Sequence, residues 1–272
     1  MKHFYLVENN KTGKLAGGCQ LMKSYLEERG ATVTVKNGRP SREDIPVGTE
    51  CIITIGGDGT LMRTADVTVG TNIPIIGVNA GHLGYLTSAS RTEELVPMMD
   101  RLLEDRYTIE KRSMLMGYWK DEEGEHMNFA LNDITVKSDN TAHAVRLELA
   151  VGGETVNEYS GDGIIVATPT GTTAYNVAAG GPIIEAAADV MVITSICPHA
   201  LSARPMVINM SNVIRICSVR RDAEVAFDGK VRGEFREGST IIITRAEYEM
   251  PMIRLEGDSY FRTLRKKLGQ LS

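Results

Sequence analysis

Along the first hundred residues, short apolar runs alternate with stretches of helical period. Lys2–Val7 reads as a strand. Leu15–Arg29 repeats its apolar positions every three or four residues and stops at Gly30, which predicts a glycine-capped helix. Ala31–Val35 alternates as a second strand, Glu50–Ile55 is a third, and a helix is expected from about Thr60. Pro74–Val78 and Thr92–Glu104 read as a further strand and helix. Strands separated by helices predict βαβ units around a parallel sheet.

After Tyr107 the pattern changes to short strands. Ser113–Trp119 and Met127–Lys137 flank the turn-rich DEEGE, predicting a hairpin. Val145–Val151, Thr155–Tyr159, Gly163–Ala167, Val190–Cys197, Asn212–Val219, Ala223–Phe227, Thr240–Thr244 and Met252–Leu255 follow as strands. Gly152-Gly153 and Asp228-Gly229 are hairpin-turn signals. Thr173–Ala179 is the one helix-like piece among them, and Ser259–Leu268 is basic and amphipathic. The expected architecture is an α/β N-terminal domain, Rossmann-like with a parallel sheet, over 1–107. A mostly β domain follows over 108–257, and a C-terminal basic segment, 258–272, packs back on the body.

Composition narrows the function classes. A chain of 272 residues carries a soft prior of two domains. Its 42% hydrophobic and 24% charged residues argue against long disorder. No apolar run approaches the roughly 18 residues of a membrane-spanning helix, and MKHFYLVENN has too short an apolar stretch for a signal peptide. Cys19, Cys51, Cys197 and Cys217 are widely scattered, which predicts reduced, mostly buried thiols and a cytoplasmic protein. Net charge is −5, and the dense basic cluster of Arg262, Arg265, Lys266 and Lys267 reads as a solvated helical face. Neither a nucleic acid nor a membrane is an expected partner. Met114, Met116, Met191, Met206 and Met210 read as core fillers, and Trp119 as core or interface.

The candidate chemistry begins at Cys51–Arg63, CIITIGGDGTLMR. Ligands of open α/β sheets bind beyond the carboxyl ends of strands, where Asp58 stands. Gly56, Gly57 and Gly59 let a ligand approach the main chain, and a helix starting near Thr60 would aim free N–H groups at an anion. A carboxylate there has three available tasks. It can hold a divalent cation that bridges phosphates, accept the proton of a hydroxyl being phosphorylated, or simply cap the helix. Neither a Walker A loop nor the G-x-G-x-x-G fingerprint follows the first strand. A second block, YSGDGIIVATPTGTTAYNVAAGGPII, gathers hydroxyls, glycines and backbone amides where a helix begins, a polar cradle for sugar or phosphate oxygens. A third turn, GVNAGHLGYLT, puts Asn79 and His82 at another strand's carboxyl end; His82 reads as a hydrogen-bonded structural histidine.

GGDGT at Gly56–Thr60, NAGHLGYL at Asn79–Leu86, Asn132-Asp133 and the GDGIIVATPTGTTAYNVAAGGPI block together resemble the NAD kinase family. The resemblance runs from about residue 50 to 260, in the family's order and spacing. GGDG alone is shared with diacylglycerol, sphingosine and 6-phosphofructokinases; the long threonine–glycine block is the more specific part. A lipid kinase would need an apolar chain-binding cleft where this block is polar. An NAD(H)-sensing module that has lost turnover would bind NAD without forming NADP.

The resemblance implies a kinase that uses ATP or polyphosphate, with a divalent cation such as Mg²⁺, to phosphorylate the 2′-hydroxyl of the adenosine ribose of NAD. It makes Asp58 the catalytic base and puts Gly59 in the same pocket, with Gly56, Gly57, Thr60 and Asn79 forming the phosphate loop. Asn132 would hydrogen-bond the dinucleotide, and Asp133 stands where the family usually has glutamate. Asp162 would reach the substrate's nicotinamide or adenine end. Thr173, Ala174, Tyr175, Asn176, Val177 and Ala178 match the family's binding segment, and His143 and Lys230 fall near positions that some members use for binding. The family assembles dimers and tetramers through its β domain, and motifs drawn from both halves imply a crevice between domains.

Overall fold

The computed structural model describes residues 1–9, 17–79, 85–89, 91–139 and 143–269. The chain opens with β1 (His3–Glu8), α1 (Gly18–Glu27), β2 (Thr32–Asn37), β3 (Cys51–Gly56), α2 (Asp58–Thr68), β4 (Ile75–Asn79), β5 (Thr87–Ala89) and α3 (Thr92–Leu103). Strands then dominate: β6 (Tyr107–Asp121), β7 (Gly124–Ala130), β8 (Asp133–Ser138), β9 (Val145–Val151), β10 (Glu154–Gly161) and β11 (Gly163–Ala167). A 3-10 turn, Thr170–Thr173, leads into the short α4 (Tyr175–Ala178). β12 (Val190–Ile196), β13 (Met206–Asn209), β14 (Ile214–Arg220), β15 (Ala223–Phe227), β16 (Lys230–Phe235), β17 (Thr240–Leu255) and α5 (Tyr260–Leu268) complete the order. Two compact units result: Met1–Lys111 with Met250–Ser272, and Arg112–Glu249.

The first unit is an α/β sheet whose strands run parallel in the order β2–β1–β3–β4. Leu6 registers with Ile53, and Ile53 with Ile76. β4 also pairs in parallel with β5 and, through Ile75 and Met252, with the end of β17. Every residue of β3 is buried. A parallel sheet covered on both faces reads as a continuous apolar run, which is why CIITIG shows no alternation. α1 turns Cys19, Met22 and Leu26 inward at helical spacing, onto the cluster of Phe4, Leu6, Ile53 and Ile76. α5 is capped by Ser259, whose Oγ accepts the Arg262 N–H at 3.4 Å. Arg265, Lys266 and Lys267 stand in its last turn, where cations complement the helix dipole.

The second unit is mostly β and antiparallel. One of its sheets contains β10–β9–β14 with the first part of β17, together with the β6–β7 hairpin. The other runs β13–β12–β11–β8–β15–β16. Gly152 and Gly153 (φ +61° and +91°) close the β9–β10 hairpin, and Asp228 and Gly229 (φ +50° and +73°) close β15–β16, both with the paired positive φ of a type I′ turn. Leu115, Trp119, Ile134, Val166, Ile214, Phe227 and Ile241 belong to one core cluster, and Trp119 stacks on Phe227 at 5.5 Å.

Several expectations need correction. Met127–Lys137 is not one strand: β7 ends at Ala130, β8 starts at Asp133, and the two lie in different sheets. The Asp228 carboxylate is the cause. It accepts the backbone N–H groups of Leu131 (3.0 Å), Asn132 (2.7 Å) and Asp133 (3.2 Å), and three consecutive amides aimed at one side chain cannot all continue a ladder. Thr240–Thr244 and Met252–Leu255 are parts of the single strand β17, and β5 is a strand that the sequence pattern does not indicate. Thr173–Ala179 is a 3-10 turn followed by four helical residues. The cysteines are free, with Cys19 and Cys51 buried but Cys197 exposed. Among the described residues, no helix is long and apolar enough to cross a membrane.

The break at Leu131–Asn132 is also held from the other side. Thr168 donates its N–H to the Asn132 carbonyl (2.8 Å) and its hydroxyl to the Leu131 carbonyl (2.6 Å). A Cβ on Gly171 would lie 2.0 Å from the Asn132 oxygen, so backbone meets backbone there. Gly171→Ala is therefore expected to destabilise the protein by roughly 1–3 kcal/mol or more in denaturant unfolding. Gly57→Ala, at an ordinary φ with nothing within 4 Å of the added carbon, should cost less, about 1 kcal/mol, the loss expected when alanine replaces glycine at an N-cap.

Candidate functional site

In the first unit the site grows from the carboxyl ends of two neighbouring parallel strands. Gly56 closes β3 in register with Asn79, which closes β4 and is buried. The chain turns at once into α2, because a Cβ on Gly56 would meet Thr60 Oγ1 at 2.3 Å and only glycine lets the first helical turn pack so closely. The helix begins at Asp58, two residues earlier than the sequence pattern predicts, with Gly57 in an extended conformation as N-cap. Asp58 is thus not the cap. Its Oδ2 accepts the Tyr85 N–H at 3.0 Å, while its Oδ1 is buried with no hydrogen-bond partner among the described residues. Lys267 lies over the Tyr85 ring, 5.0 Å from its centroid, so α5 is anchored beside the residue that orients Asp58. Gly57 and Gly59 are exposed; Arg63 arches back toward Gly59 and donates to Thr60 Oγ1 at 3.2 Å. His82 and the rest of 80–84 lie outside the described residues.

In the second unit a cavity of about 300 Å³ brings together Asn132, Asp133, Ala174 and Tyr175, lined also by Thr135, Lys137, Ala226, Asp228, Gly229 and Val231. Asp133 is only 3% exposed, and its Oδ1 accepts the Thr135 hydroxyl at 3.2 Å. Burial, followed by the charge of Asp228, pushes its pKa up to about 7. Burial raises Asp228 as well, but its three amide donors and the nearby Lys230 ammonium oppose that rise. Two carboxyls sharing a dry site titrate as a pair, and burial raises both of them. The pair therefore holds protons above the usual carboxylate range, and the cavity presents acidic groups able to accept hydrogen bonds from a polar ligand or donate to it.

The remaining sequence candidates are spread more widely. Asn176 is fully buried: its amide donates to the carbonyls of Thr172 (3.2 Å) and Pro182 (2.9 Å) and accepts the Thr194 hydroxyl (2.7 Å), which fixes the shape of the turn. Thr173 donates back to the Thr170 carbonyl at 3.3 Å, and Val177 and Ala178 are exposed on α4. Asp162 is exposed and takes a hydrogen bond from the Cys197 thiol, whose pKa rises as a result. His143 lines a separate polar cavity of about 370 Å³ with Ser138, Asp139, Arg221, Asp222 and Glu237. Lys230 is half-buried at the start of β16. Sequence reasoning missed Asp228, Thr135, Lys137, Arg63 and Tyr85. Asp228 was visible only as half of a hairpin-turn signal; its reach to amides some 95 residues earlier has no local signature.

Among the described residues, no cluster of three or more His, Cys, Asp or Glu side chains forms an all-protein metal cage. The orphaned Oδ1 of Asp58 nevertheless fits Mg²⁺, a hard cation commonly held by one or two carboxylates, with substrate phosphates and water completing its shell.

Two family models match the chain: the ATP-NAD kinase N-terminal domain over residues 9–107 and the ATP-NAD kinase C-terminal domain over residues 131–255. The NAD kinase of Moorella thermoacetica is 38% identical over 258 residues, 91% of this chain and 83% of the relative. An NAD kinase from Archaeoglobus fulgidus, solved in complex with ATP, superposes with a TM-score of 0.81 at 26% identity, covering 97% of this chain and 98% of that one. Yeast NADH kinase complexed with NADH shares the fold, with a TM-score of 0.89 at 22% identity over 99% of this chain and 88% of its own.

The raised pKa of Asp133 links stability to pH. Between about pH 4 and pH 7 the unfolded chain has released this proton while the folded chain keeps it, so stability falls as pH rises through that window. Asp133→Asn, which stays neutral throughout, is expected to be more stable relative to the parent near pH 8 than near pH 5, by at most about 3 kcal/mol. Urea unfolding of both proteins at the two pH values measures it, and equal differences would show that Asp133 ionises freely.

Proposed function

The chain belongs to the ATP-NAD kinase family, and from that premise we propose that it is an NAD kinase. It transfers the terminal phosphoryl group of ATP, or of polyphosphate, to the 2′-hydroxyl of the adenosine ribose of NAD, giving NADP. Family membership across both units carries this reading. A lipid-kinase assignment, open while GGDG stood alone, has no such support from the second unit.

The reaction forms a bond between the ribose 2′-oxygen and the terminal phosphorus and breaks the bond to the leaving phosphate. The hydroxyl proton must leave, and a carboxylate within hydrogen-bond reach accepts it. Asp58 takes that role: Tyr85 holds one of its oxygens, and the other keeps its lone pairs uncommitted. Gly56, Gly57, Gly59, Thr60 and Asn79 shape the surrounding turn, and the free N–H groups of α2's first turn favour phosphate oxygens. Mg²⁺, when bound, neutralises charge developing on the transferring group. The cavity of Asn132, Asp133, Ala174 and Tyr175 takes polar groups of the dinucleotide, with Asp162, Thr173, Asn176, Val177, Ala178, Lys230 and His143 assigned around it by family pattern.

We further assign the enzyme to the cytoplasm, as a homodimer or homotetramer built through the second unit. Free cysteines suit a reducing compartment. Exposed Val156 on β10, Val207 on β13 and Val231 on β16 lie on strands at the ends of their sheets, and such edges are commonly covered.

An NADP-formation assay coupled to an NADP-specific dehydrogenase tests the proposal, with ATP and polyphosphate as donors, NAD and NADH as acceptors, and Mg²⁺ present or omitted. ATP-dependent NADP formation is expected; NAD binding without turnover would leave a sensing module instead. Asp58→Asn keeps an oxygen for the Tyr85 amide but loses the base. It should retain fold and NAD affinity while kcat falls by a factor on the order of 10² or more. A near-parental rate would reduce Asp58 to a structural residue. Mg²⁺ titration of the same variant separates proton acceptance from metal binding.

A further inference from the structure

The basic C-terminal segment reads from sequence as a solvated helical face, yet one of its cations is turned inward. Tyr260, Thr263, Leu264 and Lys267 of α5 are half-buried, while Phe261, Arg262, Arg265 and Lys266 are exposed. The half-buried four stand at i, i+3, i+4 and i+7, the stripe by which a surface helix packs. Lys267 therefore occupies a packing position, where an apolar residue is the ordinary choice. The helix dipole favours cations throughout the last turn. It accounts equally for Arg265 and Lys266, and so does not explain why Lys267 alone of the three turns inward.

Lys267 meets the ring of Tyr85, with Nζ 5.0 Å from the ring centroid. An ammonium within about 6 Å of a ring centroid is attracted by the π face. Tyr85 is half-buried just ahead of β5, and its backbone N–H is the donor that holds Asp58 Oδ2 at 3.0 Å. Asp58 Oδ1 has no partner among the described residues, so the Tyr85 bond sets the rotation of the carboxylate. An acid fixed through one oxygen swings when its donor moves. Ring and amide belong to one residue, so a cation that holds the ring also steadies the amide. Lys267, Tyr85 and Asp58 all belong to the first unit, and each touches the next.

We propose that Lys267 is a positioning residue for phosphoryl transfer. α5 acts as a strap whose cation pins Tyr85 and, through Tyr85, orients Asp58. It does so without touching either substrate. The proposal rests on the kinase reading and adds to it a duty for the far end of the chain.

Steady-state kinetics of Lys267→Met, which keeps an apolar stem but loses the charge, test it. Its kcat should lie about three- to ten-fold below the parent, the factor carried by one cation–π contact. Both KM values should stay within about two-fold of the parent, because the lost contact serves only the chemical step. Lys267→Arg, whose guanidinium also stacks on a ring, should restore the rate, and Lys266→Met at the exposed neighbour should leave it unchanged. The same substitution is then placed on Asp58→Asn. With the base gone its orientation no longer matters, and Lys267→Met should lower the residual rate no further. Independently of turnover, hydrogen exchange of the segment containing Tyr85 should quicken in Lys267→Met but not in Lys266→Met. An equal loss of rate in both backgrounds would show that Lys267 only supports the fold, and would overturn the proposal. A raised KM for either substrate with kcat intact would make it a binding residue and overturn the proposal as well. So would unchanged kcat with unchanged exchange, which leaves the kinase reading intact. A parent protein that forms no NADP from either donor would sink the kinase reading itself and this proposal with it.

Discussion

One buried carboxylate organises the second unit. Asp228, at the tip of a type I′ turn, accepts three successive backbone amides from Leu131 to Asp133. Three amide bonds satisfy an anion that would otherwise be costly to bury. Those bonds are geometrically incompatible with a continuous strand. The chain must therefore stop at Ala130 and restart at Asp133, changing sheets between them. Thr168 and Gly171 close on the same two residues from the opposite side. The break and the cavity beside it are one construction: Asn132 and Asp133 face the cavity because Asp228 and Thr168 hold their backbone.

The same clamp sets the electrostatics. Asp228 consumes the local amide donors, so Asp133 is left buried beside a charge with one hydroxyl for company. Burial and a like charge then act in the same direction, and the proton stays on Asp133 well above the usual carboxylate range. In the first unit the logic is reversed. Asp58 is anchored through a single oxygen, and the other is buried but uncommitted, a cost of about 1–3 kcal/mol in an ordinary fold. Such a cost is characteristic of functional positions, where a group is kept ready for a ligand.

Much of this was legible without coordinates. The parallel sheet followed from alternating strand and helix periods, and its wholly buried third strand from an apolar run ended by glycine. Gly152-Gly153 and Asp228-Gly229 marked their hairpins because positive φ at two successive positions has few sequence solutions. Asp58 was singled out because a carboxylate between glycines at a strand's end has few structural reasons to exist. Other features were hidden for equally physical reasons. Met127–Lys137 has uninterrupted strand character, and nothing within it reports the distant carboxylate that breaks it. Nor does the sequence report that the Asn176 amide bonds to Thr172, Pro182 and Thr194 and so shapes the turn.

The amino-acid order by itself determined the α/β then β succession, the position of the glycine turn and the identity of its acid. These depend on neighbours along the chain: periodicity, turn stereochemistry and the spacing of a motif. Only the tertiary structure decided which oxygen of Asp58 is held by Tyr85, that burial raises the pKa of both Asp133 and Asp228, and that Arg63 folds over Gly59. Those outcomes depend on desolvation and on hydrogen-bond partners tens of residues away. Both are properties of proximity in space, which a linear pattern does not encode.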